Sequence, residues 1–183
     1  MNLIHNTDRL IIRVLGPEWA TEVCNFYKRN QNFFEPFEPQ RVPNFYTIPF
    51  QEATLCYELK EFINFRYIRL FLFEPIDPCH IIGSISFSNI KKGSFQSCNL
   101  GYKMDFSFCN QGYMTEALNY CIDNIIFGEY GLHRIESTVL PTNYPSIRLM
   151  ERLNFQQEGI ARDFAFLENK WRDHIKYARI NSI

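Results

Sequence analysis

No Cys-x-x-Cys pair occurs among the six cysteines, Cys24, Cys56, Cys79, Cys98, Cys109 and Cys121, and no paired histidines lie near them. That excludes a zinc knuckle and a compact disulfide scaffold and leaves reduced, mostly buried thiols, with no metal expected. Charge of one sign is also lacking. The 19 Lys+Arg against 20 Asp+Glu give −1, too little to hold a phosphate backbone or an anionic bilayer without local clustering. Neither nucleic acid nor membrane is an expected partner. No apolar run approaches the ~18 residues of a membrane span. The stretch Met1 to Arg9 lacks the basic-then-apolar texture of a secretory leader, so a cytoplasmic setting is expected. Internal repeats and low-complexity tracts are absent.

What the chain has is apolar mass. Hydrophobic residues make up 46% and aromatics 16%, including 18 Phe and 10 Tyr, which is far too much for a disordered chain. At about 150 residues per domain, the 183 residues predict a single domain over 1–183.

The pattern along the chain predicts a mixed α/β fold. Arg9 to Leu15 is a β-branched run closed by Gly16-Pro17, and a helix follows with Trp19, Ala20, Val23, Cys24 and Tyr27 at three-and-four spacing. Residues 29–49 are too apolar for a linker and too rich in proline for a long helix, so an ordered aromatic loop is expected. A second helix is predicted over Phe50 to Phe65. Strands over 67–73, 80–88 and 96–104 then form an antiparallel meander. Met114, Ala117, Leu118, Cys121, Ile122, Ile125 and Ile126 step three-one-three-one, the strongest helical period in the chain. A strand over 133–140 stops at Pro141, a short helix runs from near Pro145 to Leu153, and two strands flank a Glu168-Asn169-Lys170 turn. The order β-α-α-β-β-β-α-β-α-β-β implies one central sheet with a parallel pairing around the long helix.

Two segments have a chemical use. The strand ending at Met104 leads through Cys109-Asn110-Gln111-Gly112 into the periodic helix. Backbone N–H groups at such a helix start can hold a diphosphate, and glycine permits close approach; ordinary turn chemistry is the alternative. Asn143 and Ser146 surround the start of the later helix, where both residue types also serve simply as caps.

Taken together, these residues and their ordered spacing resemble the GNAT superfamily of acetyl-coenzyme-A-dependent N-acetyltransferases, in its ribosomal-protein-alanine acetyltransferase (RimJ/RimL) branch. The resemblance is carried by Thr7-Asp8-Arg9-Leu10-Ile11-Ile12-Arg13, Glu35-Pro36-Phe37-Glu38-Pro39, Ile82-Gly83-Ser84, Leu100-Gly101-Tyr102, Gln111-Gly112-Tyr113-Met114-Thr115-Glu116, Leu132-His133-Arg134-Ile135-Glu136, Asn143-x-x-Ser146 and Trp171-x-Asp173-His174. It spans nearly the whole chain. It implies a twisted, mostly antiparallel sheet with helices on both faces, splayed between the fourth predicted strand (96–104) and the fifth (133–140).

It also implies roles. Acetyl-CoA is the cosubstrate, its diphosphate held by the loop Cys109, Asn110, Gln111, Gly112, Tyr113, Met114 and Thr115. Its pantetheine arm is expected to pair with the backbone of Tyr102, Lys103 and Met104. Asn143 matches the family asparagine that contacts the cofactor arm, and Ser146 matches a serine suspected of protonating the departing thiolate. Departures exist: Cys109, Asn110 and Met114 differ from the usual phosphate loop, and Met150 stands where many members have a tyrosine acid, which excludes that acid here.

An amine attacking a thioester must lose a proton, and Glu136 is the candidate base, acting directly or through water, although its face of the strand could equally meet solvent or Arg134. Phe37 and Tyr46, within the cluster Phe33, Phe34, Phe37, Phe45 and Tyr46, are candidate acceptor contacts; core packing is the alternative. Cys109 at a helix start could be a thiol of lowered pKa, but direct transfer needs no acyl-cysteine. His133 and His174 read as structural. The acceptor is a protein N-terminus or a small amine met in a ternary complex, and a homodimer is the assembly allowed for. A catalytically weak, regulatory CoA-binding module is the competing reading.

Overall fold

Every side chain of the run Ile68–Phe73 except Arg69 is buried, which requires a layer on each face of the strand. The computed structural model describes residues 2–181 and sets this run inside one eight-stranded sheet. The strands are β1 (Ile4–Asn6), β2 (Ile11–Arg13), β3 (Ile68–Phe73), β4 (Gly83–Lys91), β5 (Ser97–Met104), β6 (Arg134–Val139), β7 (Gln156–Leu167) and β8 (Lys170–Ile180). They lie in the order β1-β2-β3-β4-β5-β6-β8-β7, and every neighbouring pair is antiparallel except β5 and β6.

Period two divides β3 between two cores. Leu70 and Leu72 join Leu118, Ile122, Ile126, Met150 and Leu153 on one face. Phe71 and Phe73 join Val23, Phe26, Phe34, Phe45 and Leu55 on the other. Burying each such side chain stabilises the fold by roughly 1.5–3 kcal/mol before entropy is counted. The second core is covered by α1 (Ala20–Arg29), the short α2 (Gln31–Phe34) and α3 (Ile48–Ile63). The first is covered by α4 (Tyr113–Tyr120), its continuation to Glu129, and α5 (Tyr144–Arg152).

Several expectations are corrected. The strand predicted over Arg9 to Leu15 is β2, and it pairs with a three-residue strand ahead of it, β1, that the pattern does not predict. The strongest period does not form one α-helix: Cys121–Glu129 is π-helical, closed by the Tyr130 N–H to Ile125 carbonyl bond at 2.9 Å. The wider turn lets Ile125, Ile126 and Phe127 all stay buried, a span too broad for one face of a 3.6-residue turn. The aromatic loop begins with α2 and one 3-10 turn before it becomes irregular. Cys24, Cys98 and Cys121 are buried, but Cys56 and Cys79 are exposed and Cys109 is intermediate, so the thiols are not mostly buried.

The feature that makes a site is the parallel pair. β5 and β6 share only the rungs Ser97 to Arg134, Cys98 to Ile135 and Asn99 to Glu136. Beyond Asn99 the strands part, and a wedge opens between 100–104 and 137–140. No helix among the described residues is long and apolar enough to cross a membrane.

Candidate active site

The wedge leads into a cavity of about 720 Å³. Leu100 to Met104 form one wall, Ser137 to Leu140 the facing wall, Asn110 and Gly112 to Thr115 one end, and Asn143, Ser146 and Leu149 the flank. The side belonging to the aromatic loop is closed by Phe33, Phe37, Glu38 and Arg41. Tyr102, Lys103, Met104, Cys109, Asn110, Gly112, Tyr113, Met114, Thr115, Asn143, Ser146 and Phe37, all singled out from the sequence, line this one space.

Three candidates do not. Gln111 is exposed and turns its side chain back to the Ser107 carbonyl at 3.0 Å. Tyr46 packs edge-on against Phe45, and its hydroxyl reaches Glu35 at 3.4 Å. Glu136 is absent from the lining: Arg134 Nε donates to its carboxylate at 2.7 Å, and the same guanidinium also holds Glu158. Its place along β6 explains this: Glu136 sits at the last rung shared with β5, beside Arg134, and the cavity begins one residue later at Ser137.

The phosphate end is built by backbone conformation. Asn110 (φ 61°) and Gly112 (φ 84°) are both left-handed, and α4 starts at once behind them. The first bond of the turn is Glu116 N–H to the Gly112 carbonyl at 3.0 Å, so the N–H groups ahead of it are free for an anion. A side chain at 112 would be strained at that φ and would come within 3.4 Å of Arg9 Nη2. Arg152 borders the cavity, with Nη1 at 3.4 Å from Thr115 Oγ1. Such an end suits a diphosphate despite the near-neutral chain.

Two clamps hold this loop. Glu116 accepts Thr7 Oγ1 at 2.6 Å, the Arg9 amide at 3.0 Å and Arg9 Nε at 2.6 Å, while Arg9 Nη1 donates to the Gln111 carbonyl at 3.0 Å. Burial works to raise its pKa, but these bonds outweigh it and keep the Glu116 carboxyl below the ordinary value. At the other end Asp105 accepts Arg29 Nε at 2.6 Å, Asn30 Nδ2 at 2.8 Å and the Ser107 amide at 3.0 Å. Here too burial is overcome by these donors, and Asp105 sits below its usual range.

At the wall, the Tyr102 hydroxyl is buried without a hydrogen-bond partner among the described residues. Burial pushes it up to about 12, opposed by the neighbouring Ser146 side chain, which is not in regular hydrogen-bonding geometry. Asn143 is a true N-cap: its Oδ1 accepts the Ser146 backbone N–H at 3.2 Å, which leaves the Ser146 hydroxyl unused by the cap. Burial lowers Lys103, while its ion pair with Glu38 raises it, and Glu38 also pairs with Arg41. Cys109 is raised, first by burial and then by Asp105, the reverse of an activated thiol. Met150 is fully buried. Among the described residues no three His, Cys, Asp or Glu side chains stand together as metal ligands.

Sequence reasoning passed over Glu38, Arg41 and Arg152 as cavity residues. Glu38 has a signal in the Glu35 to Pro39 motif and Arg152 in the helix that Asn143 and Ser146 open, whereas Arg41 has none beyond its place in the aromatic loop.

A splayed parallel pair with a diphosphate-sized, amide-rich loop behind one strand defines a class of CoA-dependent acyltransferases. The model of the "Acetyltransferase (GNAT) domain" matches residues 9–156, and the chain belongs to this family. It is an acetyl-CoA-dependent N-acetyltransferase. The [ribosomal protein uS5]-alanine N-acetyltransferase of Escherichia coli (strain K12) is 35% identical over 170 residues, covering 92% of this chain and 86% of that protein. Among solved structures, the ribosomal-protein-S5-alanine acetyltransferase from Vibrio fischeri superposes with a TM-score of 0.94 at 26% identity, over 99% of this chain and 98% of the other. Mycobacterium smegmatis RimJ, solved in complex with CoA-disulfide, gives 0.86 at 24% identity over 93% and 81% of the two chains.

Replacing Glu116 by Ala is expected to raise the KM for acetyl-CoA about tenfold, the equivalent of roughly 1.4 kcal/mol from lost charge-assisted bonds. Steady-state kinetics at fixed acceptor checks this, and an unchanged KM removes Glu116 from the loop's support.

Proposed function

We propose that this chain, acting as a single domain, acetylates the N-terminal amine of a protein that begins with alanine, by direct attack in a ternary complex. The observation that carries the reading is the shared cavity: a diphosphate end, a wedge of backbone, and an aromatic and charged loop at the far side meet in one continuous space. The uS5-alanine specificity of the Escherichia coli relative supports the choice of acceptor.

In this reading the amides around Asn110 to Thr115 hold the cosubstrate's diphosphate, and the edge of Tyr102 to Met104 that faces away from β4 lines its arm and aims the thioester, the acyl donor the cosubstrate supplies. Backbone donors there stabilise negative charge on the carbonyl oxygen. Ser146 gives its proton to sulfur. Phe37 forms part of the acceptor wall. Glu136 is not retained as base, because its carboxylate is committed to Arg134 outside the cavity. Metal takes no part in the proposed chemistry.

The test pairs binding with turnover. Acetyl-CoA at 100 times its Kd should stabilise the purified chain by about 2.7 kcal/mol, seen as a rise in Tm. Peptides with a free N-terminal alanine should release CoA thiol, and the same peptides blocked at the N-terminus should not. Tight CoA binding without acceptor-dependent thiol release from any peptide or small amine would replace this reading with the CoA-binding module. Release with small amines alone would move the acceptor class.

A further inference from the structure

With Glu136 outside the cavity, the reaction lacks a group to take the acceptor's proton. The charged side chains bordering the space are Glu38, Arg41, Lys103 and Arg152. Three are cations, and Glu38 is held between Lys103 and Arg41. One other titratable nitrogen borders it: His174, on β8.

His174 is 7% exposed, with its ring 5.1 Å from that of Phe164. Its Nδ1 lies 3.1 Å from the Arg172 carbonyl oxygen. A carbonyl only accepts, so Nδ1 carries the hydrogen in the neutral ring and Nε2 keeps the lone pair. Nε2 has no hydrogen-bond partner among the described residues. The backbone thus fixes the tautomer that a base requires, with no carboxylate needed. Position agrees: β8 pairs with β6, and Ile175, the next residue, is the rung opposite Val139 of the wedge wall. The neighbouring carboxylate of Asp173 is turned to the Asp163 amide at 2.8 Å.

We propose that His174 is the general base of this enzyme, a refinement that rests on the acetyl-transfer reading above. The acceptor nitrogen forms the C–N bond to the acetyl carbon and gives its proton to His174 Nε2. The C–S bond breaks, and the departing sulfur receives the Ser146 proton. His174 then returns its proton to the Ser146 oxygen through cavity water, so the net change is amine plus thioester to amide plus thiol. His174 is thereby a catalytic residue and not only a packed one.

The experiment uses the full chain with an alanine-terminated peptide, comparing wild type with His174→Ala and His174→Gln. Expected results are a fall in kcat of about 100-fold or more, unchanged acetyl-CoA affinity by calorimetry, loss of the acid limb of the kcat–pH profile, and partial rescue of His174→Ala by imidazole. A kcat within threefold of wild type overturns the proposal. A fall in kcat that keeps the wild-type pH profile and is not rescued by imidazole overturns it as well, since packing loss alone would do that. If both variants fail to fold, the wild-type profile decides. A kcat profile without an acid limb refutes the base, and an acid limb that stays in place across acceptors of different amine pKa sustains it. Failure of wild type to acetylate any amine refutes the function as a whole, a result distinct from normal turnover in the variants.

Discussion

Ser146→Ala is expected to lower kcat by about 100-fold, the lower end of what a positioned proton donor contributes, while acetyl-CoA binds as before. The substitution is unusually clean. The helix cap at this position is made by the Asn143 side chain and the Ser146 backbone N–H, which alanine keeps. Removing the hydroxyl therefore leaves α5 in place and takes away only the group beside the buried Tyr102 phenol. Single-turnover acetyl transfer, read beside the Kd for acetyl-CoA, separates the two outcomes. An unchanged rate would reduce Ser146 to part of the helix start and leave sulfur to be protonated by water.

Asp105→Ala should be the most damaging single change to stability among the groups described, at about 3 kcal/mol, the low end for leaving one member of an ion pair alone, because Asp105 is buried but the Arg29 side chain is partly exposed. The change strips the acceptor from Arg29, Asn30 and the Ser107 amide at once. For a chain of this size that is a fall in Tm of roughly 10 °C. Calorimetry or thermal melts check it, and a shift below 2 °C would mean the cluster is solvated and contributes little.

The pH dependence has a definite sign. Asp105 and Glu116 both sit below their ordinary values in the folded chain. Their contribution is complete above the unfolded carboxyl range of about 4 and is lost as pH falls through the lower folded values. Melting temperature should therefore drop steeply under acid, and Asp105→Asn should flatten that part of the curve.

How much of this could be read from the sequence depended on distance along the chain. Local periodicity sufficed for β3, α3, α5 and the β7–β8 hairpin, whose turn at Glu168 and Asn169 (φ 49° and 60°) has the two left-handed residues a tight hairpin needs. It failed for β1, where three residues are too few to establish a period, and for Cys121–Glu129, where α and π turns share the same apolar spacing. The ordered motifs led to the cavity residues. The clamps escaped notice because their members lie far apart in sequence: Arg29 meets Asp105 across 76 residues, and Arg9 meets Glu116 across 107. Lys103 meeting Glu38 is the same kind of event. Whether Glu136 meets the cavity depends on where β5 and β6 part, and that rung is fixed only once β6 is seated between β5 and β8.

The early parting of β5 from β6 has a consequence for the chain at rest. Past Asn99, the peptide groups of β5 that face away from β4 have no strand rung to complete, and among the described residues only the Leu100 carbonyl is met, by the Ser137 hydroxyl at 3.4 Å, so the middle of the sheet carries a seam of largely unmet valences. An extended, amide-bearing molecule that settles there would act as a missing lath as much as a reagent. Deuterium uptake along 100–104 should then be quick in the empty enzyme and slow in the loaded one, making the seam its own reporter of occupancy.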